Sequence, residues 1–322
     1  METIVTRPAS TRQTTTPTAR PLSAASASAA ALDALRQLTD RDRYILDVLA
    51  EHHVLTADQI ARLKFTDDNT ARKRLILLHR RKILDRFRDG VRPGSQAWRY
   101  TLGPVGAVIA AATRGTAPPR PAAHADRILR LARSPRLHHL LGINEFFVCL
   151  AATARHHPGY ALTWWLNEKR ATAACAGAAR PDGLGTWTHQ SPSRHRSITF
   201  FLEHDTGTEP LQRLVAKLPG YAEARLADGP DHPVLYWLPS HEREQHLHRL
   251  LQRSPSTVPV ATAVHGARPL HRPVPAGADP AGQVWAIPGV PGRHHLIDLA
   301  VHLHPVTRSA PLDADSARRS AA

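Results

Sequence analysis

Cysteine is nearly missing from this chain: Cys149 and Cys175 are the two present among 322 residues. Two isolated cysteines exclude a disulfide framework and a cysteine-rich metal knot, and both are expected as buried thiols. Lysine is also scarce, at positions 64, 73, 82, 169 and 217 alone, so nearly all of the 42 basic residues are arginine. Aromatic residues make up only 5%. No run approaches the roughly 18–20 apolar residues that a membrane-spanning helix needs, so no membrane segment is expected. Residues 1–31, mostly Thr, Ser, Ala, Arg and Pro, lack the apolar stretch of a secretion signal, and 1–37 read as a disordered tail, which makes the cytoplasm the expected location.

Acidic residues are the last shortage: 27 against 42 basic ones leave a net charge of +15. That excess favours an anionic partner, usually nucleic acid. A GC-rich coding bias explains arginine in place of lysine, but not the excess of positive over negative charge. The 21 histidines include the pairs His138-His139 and His156-His157 and the group His241, His246 and His248. None sits with cysteines at zinc-finger spacing.

Much of the charge is concentrated near the N-terminus. Thr39 or Asp40 can cap a helix carrying Tyr44, Ile45, Val48 and Leu49 on one face. Thr56 caps a second helix with Ile60 and Leu63 inward. Thr66-Asp67-Asp68 opens a third, from Asn69 to about His79, with Leu75 and Leu78 buried. Ile83–Arg88 and Gln96–Leu102 then alternate as a β-hairpin across a turn at 90–95. Three helices and a hairpin spell a winged helix-turn-helix over 38–114. Between Arg72 and Arg99 stand basic residues at 72, 73, 74, 80, 81, 82, 86, 88, 92 and 99, against Asp85 and Asp89 alone. In this motif the third helix enters the major groove and the wing rides the phosphates of double-stranded DNA. Arg72, Lys73, Arg74, Arg80, Arg81 and Lys82, with Arg88 and Arg92 on the wing, are the expected DNA contacts. A solvated basic face on a protein-interaction module is the other reading.

Residues 115–130, with Gly, Pro and Ala, read as a linker. A second domain is expected over 131–265, beginning with a long buried helix from Leu137 to about His156. Strands follow at 160–166, 180–189 and 198–204, then a helix over 210–227 that Pro219 can kink. A strand at 234–238, a helix capped by Ser240 and a strand at 258–264 complete a mixed α/β unit of order αβββαβαβ, whose first six elements are αβββαβ. The Pro/His-rich region 266–322 is expected to be weakly ordered, with 284–287 and 295–302 as late packing segments.

The stretch 180–221 carries the chemistry. Asp182 follows Pro181 at the start of one strand, and Glu203 and Asp205 end the next at spacing i, i+2, on one side of a sheet. If those strands are neighbours, three carboxylates converge as oxygen ligands for Mg²⁺ or Mn²⁺. Lys217 can stabilise developing phosphate charge beside a metal-activated hydroxide. The plainer readings are an Asp182-Gly183 turn pair, solvent exposure or helix capping at Glu203 and Asp205, and a helix-dipole role for Glu209.

Pro181-Asp182, the Glu203-His204-Asp205 strand and the αβββαβ order resemble the restriction-endonuclease-like, PD-(D/E)xK fold. More specifically, Arg180-Pro-Asp-Gly183, the run Phe201-Leu-Glu-His-Asp-Thr-Gly-Thr-Glu209, and Lys217-Leu218 with Tyr221, behind a winged helix, are similar to the replication-relaxation family of actinobacterial plasmids and integrative elements. The resemblance covers about residues 38–265. It implies a role in plasmid replication and DNA relaxation, with replication or relaxase proteins as partners and a homodimer as a compatible assembly. The fold resemblance would make the chain a divalent-metal-dependent DNA endonuclease, or nickase, using Asp182, Glu203, Asp205 and Lys217. Glu145 would match an extra helix glutamate found in some such nucleases. One departure stands out: the position that carries lysine in that pattern is Asp205 here, so Lys217 would have to supply the charge from the helix, or the domain only binds.

Overall fold

In the computed structural model the described residues are 14–15, 23–89, 97–227, 229–254, 256–266 and 279–303. A short strand, β1 (Thr14–Thr15), precedes a helix that the tail expected over 1–37 did not anticipate. This is α1 (Ala24–Leu35), whose first turn is capped by Ser23 accepting the Ser26 N–H at 3.1 Å. An alanine-rich run has the highest helix propensity. Small Ala27 and Ala31 also let α1 lie close against a later helix, Pro104–Thr113.

Short polar side chains set the next helix starts. Thr39 forms a capping box with Asp42 at α2 (Asp40–His52), and Thr56 forms one with Gln59 at α3 (Ala57–Lys64), β2 (Leu55–Thr56) lying between them. Asp67 accepts the Thr70 N–H at 2.8 Å to open α4 (Asp68–Arg80). Each such cap is worth about 1 kcal/mol. Strands β3 (Leu84–Asp89) and β4 (Arg99–Leu102) follow, and α5 (Pro104–Thr113) starts with proline in its first turn, where no N–H is needed. β1, β3, β4 and β2 form a four-stranded sheet in that order. The hairpin turn at 90–95, and with it Arg92, lies outside the described residues.

The stretch expected as a linker over 115–130 is helical from Pro121 onward, as α6 (Pro121–Arg133). Its periodic apolar residues place Ile128 and Ala132 against the following helix. That helix, α7 (Leu137–His156), joins the two halves of the molecule: α3 and β2 pack on it from one side, and the large sheet from the other. With a mean hydropathy of 1.3 over its best window it is long and apolar enough to cross a membrane, where no such run was expected. Half of that window is buried within the protein, as in a core helix. Asn144 ties it to the end of α2, donating to the Val54 carbonyl at 2.7 Å.

The large sheet comprises β5 (Tyr160–Asn167), β6 (Gly183–Ser191), β7 (Arg194–His204), β8 (Val234–Leu238), β9 (Val260–Val264), β10 (Gln283–Ile287) and β11 (Val290–His295), neighbours in sequence order. β5, β6 and β7 are antiparallel, β7, β8 and β9 run parallel, and β10 and β11 are antiparallel again. Side chains alternate faces along each strand. Trp187, Phe200, Leu202, Leu235 and Trp237 pack towards α7, whereas Leu184, Phe201, Val234, Tyr236 and Leu238 pack on the opposite side. Helices α8 (Glu168–Ala174), α9 (Leu211–Ala216), α10 (Leu218–Leu226) and α11 (His241–Arg253) cover that opposite face. The helix expected over 210–227 is divided at Lys217, two residues before Pro219, whose missing N–H breaks the ladder.

Weak order was expected over 266–322, but residues 279–303 belong to the core. Beyond β11, a 3-10 turn (Leu296–Asp298) and α12 (Leu299–His302) bury Leu296, Ile297 and Leu299 beside Trp285, which is fully buried. Burying one such aromatic is worth about 1.5–3 kcal/mol, which explains why a Pro- and His-rich composition still orders here.

Candidate functional site

Asp182 sits immediately before β6 and Glu203 one residue before the end of β7, and these antiparallel neighbours pair Gly183 with Leu202. The two carboxylates therefore meet at one end of the sheet. The Asp182 N–H donates to the Leu202 carbonyl at 3.0 Å, and its Oδ2 accepts the His204 N–H at 2.8 Å. Its Oδ1 lies 2.9 Å from His139 Nε2, in the first turn of α7. Burial by itself would push the Asp182 carboxyl up, but the His139 bond and charge, Lys217 and the His204 N–H hold it below its ordinary value. Burial would likewise depress His139, and the Asp182 contact raises it instead.

Glu203 is 1% exposed and points to the opposite face of the sheet from α7. Lys217, at the α9–α10 junction, donates to its Oε2 at 2.6 Å, and the Tyr221 hydroxyl donates to its Oε1. Burial first, then the nearby Asp182 charge, push Glu203 up to about 7, against the pull of Lys217. Asp205 lies two residues on, as the i, i+2 spacing requires, but Arg243 of α11 grips its two carboxylate oxygens. Its Oδ1 also accepts the Gly207 N–H at 2.9 Å, turning the chain away from the sheet.

Each carboxylate thus has a basic partner of its own: His139 for Asp182, Lys217 for Glu203 and Arg243 for Asp205. Among the described residues, no three His, Cys, Asp or Glu side chains come together in a way that could hold a metal ion. The expected convergence of Asp182, Glu203 and Asp205 on one ion is not what the fold builds. Asp182, Asp205 and Lys217 instead border a cavity of about 380 Å³ together with Arg136, His139 and His204, while Glu203 is sealed behind it. His204, on the α7 face, is pushed down to about 3 by burial and stays neutral.

Glu145 does not reach this centre. It lies on α7 at the seam with α3, where Arg62 donates to it at 2.5 Å and Gln59 at 3.1 Å. The two cysteines are buried; burial raises Cys149 to about 12 and Cys175 to about 11, which leaves neither a reactive thiolate at neutral pH.

The basic residues of α4 divide into two kinds. Arg72, Lys73, Arg80 and Arg81 are exposed, and Lys82 is half-buried with φ 58. Arg74 points inward and pairs with the fully buried Asp42 of α2, its Nε donating at 2.9 Å, so its charge is spent within the protein. On the hairpin, the guanidinium groups of Arg86 and Arg88 lie 4.1 and 4.4 Å from the Trp98 ring centre.

Reading the sequence missed His139, Arg136 and Arg243. The His138-His139 pair was visible, but only folding brings it opposite Asp182, 43 residues on. Nothing local in the sequence announces that Arg243 will reach Asp205.

The family described as replication-relaxation matches residues 46–233 of the chain. No curated protein and no solved structure matches it.

Proposed function

Because the chain belongs to the replication-relaxation family, whose match spans more than half of it, we propose that it is a DNA-binding factor that acts at plasmid or mobile-element DNA during replication and relaxation. In this reading α2, α3 and α4 with the β3–β4 hairpin form a winged helix on double-stranded DNA. Support comes from the exposed cations Arg72, Lys73, Arg80 and Arg81 on and just beyond α4, and from Arg88 on the hairpin. In this reading α7, β5, β6, β7, α9–α10 and β8, with α8 inserted between β5 and β6, make up a restriction-endonuclease-like frame that serves as a platform to recruit replication or relaxase proteins.

The observation that carries the non-catalytic form of this proposal is the pairing of every candidate carboxylate. Asp182 has His139, Glu203 has Lys217 and Tyr221, and Asp205 has Arg243. Mg²⁺ or Mn²⁺ would have to displace these partners, and the residues as arranged do not fit such an ion. The nickase reading draws its support from the adjacency of Asp182 and Glu203 and from the Lys217 amine.

Two measurements test the proposal. Supercoiled plasmid incubated with the protein and Mg²⁺ or Mn²⁺ is expected to remain intact; nicking that disappears in Asp182→Ala and Glu203→Ala would establish the nuclease instead. Duplex binding is expected to weaken in Arg72→Ala/Lys73→Ala, with the slope of log K against log salt falling by about 2. An unchanged slope would remove α4 as the DNA contact.

A further inference from the structure

The β3–β4 hairpin carries a cluster that the carboxylate centre does not use. Its strands pair Arg86 with Tyr100 and Phe87 with Arg99, and one more step of that register sets Arg88 opposite Trp98. Side chains two apart share a face of a strand, so Leu84, Arg86 and Arg88 lie on one side of the hairpin with Trp98, Tyr100 and Leu102. Leu84, Tyr100 and Leu102 are buried in one core with Leu75 and Leu78 of α4, and Trp98 packs at the edge of that core. The two arginines therefore stand on the face against which α4 lies. Phe87, between them, is buried on the other face against Val54, Ile128 and Leu141.

Arg86 and Arg88 share a single aromatic platform. Their guanidinium carbons lie 4.1 and 4.4 Å from the Trp98 ring centre, within cation–π range. All three residues are half-buried, which leaves the stack partly open to solvent. Asp85 does not neutralise it: this carboxylate accepts the Arg86 backbone N–H at 2.8 Å and lies 4.0 Å from His79. Among the described residues no carboxylate lies within ion-pair distance of the Arg86 guanidinium. A long arginine side chain ordinarily loses rotamer freedom when it binds, and stacking on a ring imposes that loss beforehand. The cost of ordering is then absent from the binding step.

Guanidinium groups stack through their faces and donate through their edges, and their paired N–H groups match phosphate oxygens. Stems two residues apart on a strand are about 6.8 Å apart, the scale on which successive phosphates follow one another along a DNA strand. We propose that Trp98 is a positioning residue for DNA: it holds Arg86 and Arg88 as a preordered pair that grips neighbouring phosphates of one duplex strand, beside the groove that α4 enters. This role rests on the DNA-binding reading above and adds to it Arg86 and Trp98, which that reading leaves out. Because Trp98 acts through the arginines, its removal should matter only while they are present.

The test titrates the full chain into a short labelled duplex, read by fluorescence anisotropy, over a series of salt concentrations. Arg86→Ala/Arg88→Ala is expected to weaken binding and to lower the slope of log K against log salt by about 2. Trp98→Leu, which keeps an apolar side chain at the core edge, is expected to weaken binding about tenfold with both charges still present. Adding Trp98→Leu to the alanine pair should cost nothing further, whereas Trp98→Phe, which retains a ring, should keep most of the affinity. Arg86→Lys/Arg88→Lys leaves Trp98 and both charges in place, so it tests the stack even if Trp98→Leu does not fold; a severalfold loss at unchanged slope is expected. A Trp98→Leu loss equally large without the arginines would make Trp98 structural and overturn the positioning role. So would an affinity indifferent to Trp98→Leu, to the lysine pair or to the alanine pair. If duplex binding still depends on Arg72 and Lys73 in those cases, the DNA-binding reading stands; a parent chain that binds no duplex overturns both.

Discussion

Glu203 shows at the scale of one residue what the fold does with a buried acid. Its carboxyl is removed from water, and the Lys217 ammonium and Tyr221 hydroxyl replace the lost solvation. Removing one member of such a pair leaves an uncompensated buried group. Lys217→Met is therefore expected to lower stability by about 1–3 kcal/mol, less than for a fully buried pair because the lysine side chain is 37% exposed. Adding Glu203→Gln should recover part of the loss, which a double-mutant cycle of urea midpoints measures; additive losses would show that the two residues do not interact. Gly142 is a second single-residue constraint. A Cβ there would lie 2.1 Å from His204 Nε2, so any side chain at that position would have to push the His204 ring from its place against α7.

At the scale of an element, α4 separates cations for binding from a cation for structure. Arg74 clamps α4 to α2 through Asp42, which is also the carboxylate of the α2 capping box. Burial would push Asp42 up, yet the Arg74 and Thr39 bonds hold it below its ordinary value. Arg74→Ala strands that buried charge and is expected to cost about 3 kcal/mol. Arg72→Ala and Lys73→Ala, on the exposed side, should stay within about 0.5 kcal/mol of the parent. Thermal melts of the three variants check this, and equal melting temperatures would remove Arg74 from the structural role. The contrast could not be read from Arg72-Lys73-Arg74 as a run, because one helical position separates facing solvent from facing α2.

For the whole molecule, buried histidines couple stability to pH. Burial holds His52 and His204 at about 3 each and His124 at about 4. All three lie below the unfolded value near 6.5, so the unfolded chain binds more protons and folding is penalised as pH falls. Their contribution is complete above about pH 6.5 and is lost progressively down to the folded values, at about 1.4 kcal/mol per residue per pH unit. His139 has the opposite sign: its raised value makes a contribution that is present below about 6.5 and lost as pH rises through the folded value. Glu203, raised to about 7, has the same sign as His139 and gains stability as pH falls through that value. Three groups outweigh these two, so the urea midpoint is expected to drop between about pH 7 and pH 5. A flat or rising midpoint would show that the three rings are not held neutral.

Much of the architecture was legible in the chain because its signals are local. Thr39, Thr56, Asp67 and Ser240 cap the helices that begin beside them, the unbroken apolar runs Phe200–Leu202 and Val234–Leu238 mark buried strands, and Pro219 marks a break. Trp164 and Trp165 divide as adjacent strand residues should, Trp164 being 59% exposed and Trp165 stacked on His52. Composition misled at both ends: the alanine-rich α1 and the β10–β11 hairpin are ordered by partners far away in sequence. The candidate site was half legible. Placing Asp182, Glu203 and Asp205 near one sheet end follows from strand period and order. Their chemistry does not, because a carboxylate's role depends on which cation reaches it. His139, Lys217 and Arg243 arrive from 43, 14 and 38 residues away. The acids and their spacing belong to the sequence; only the tertiary structure decided that each would be answered by a basic side chain of the same chain.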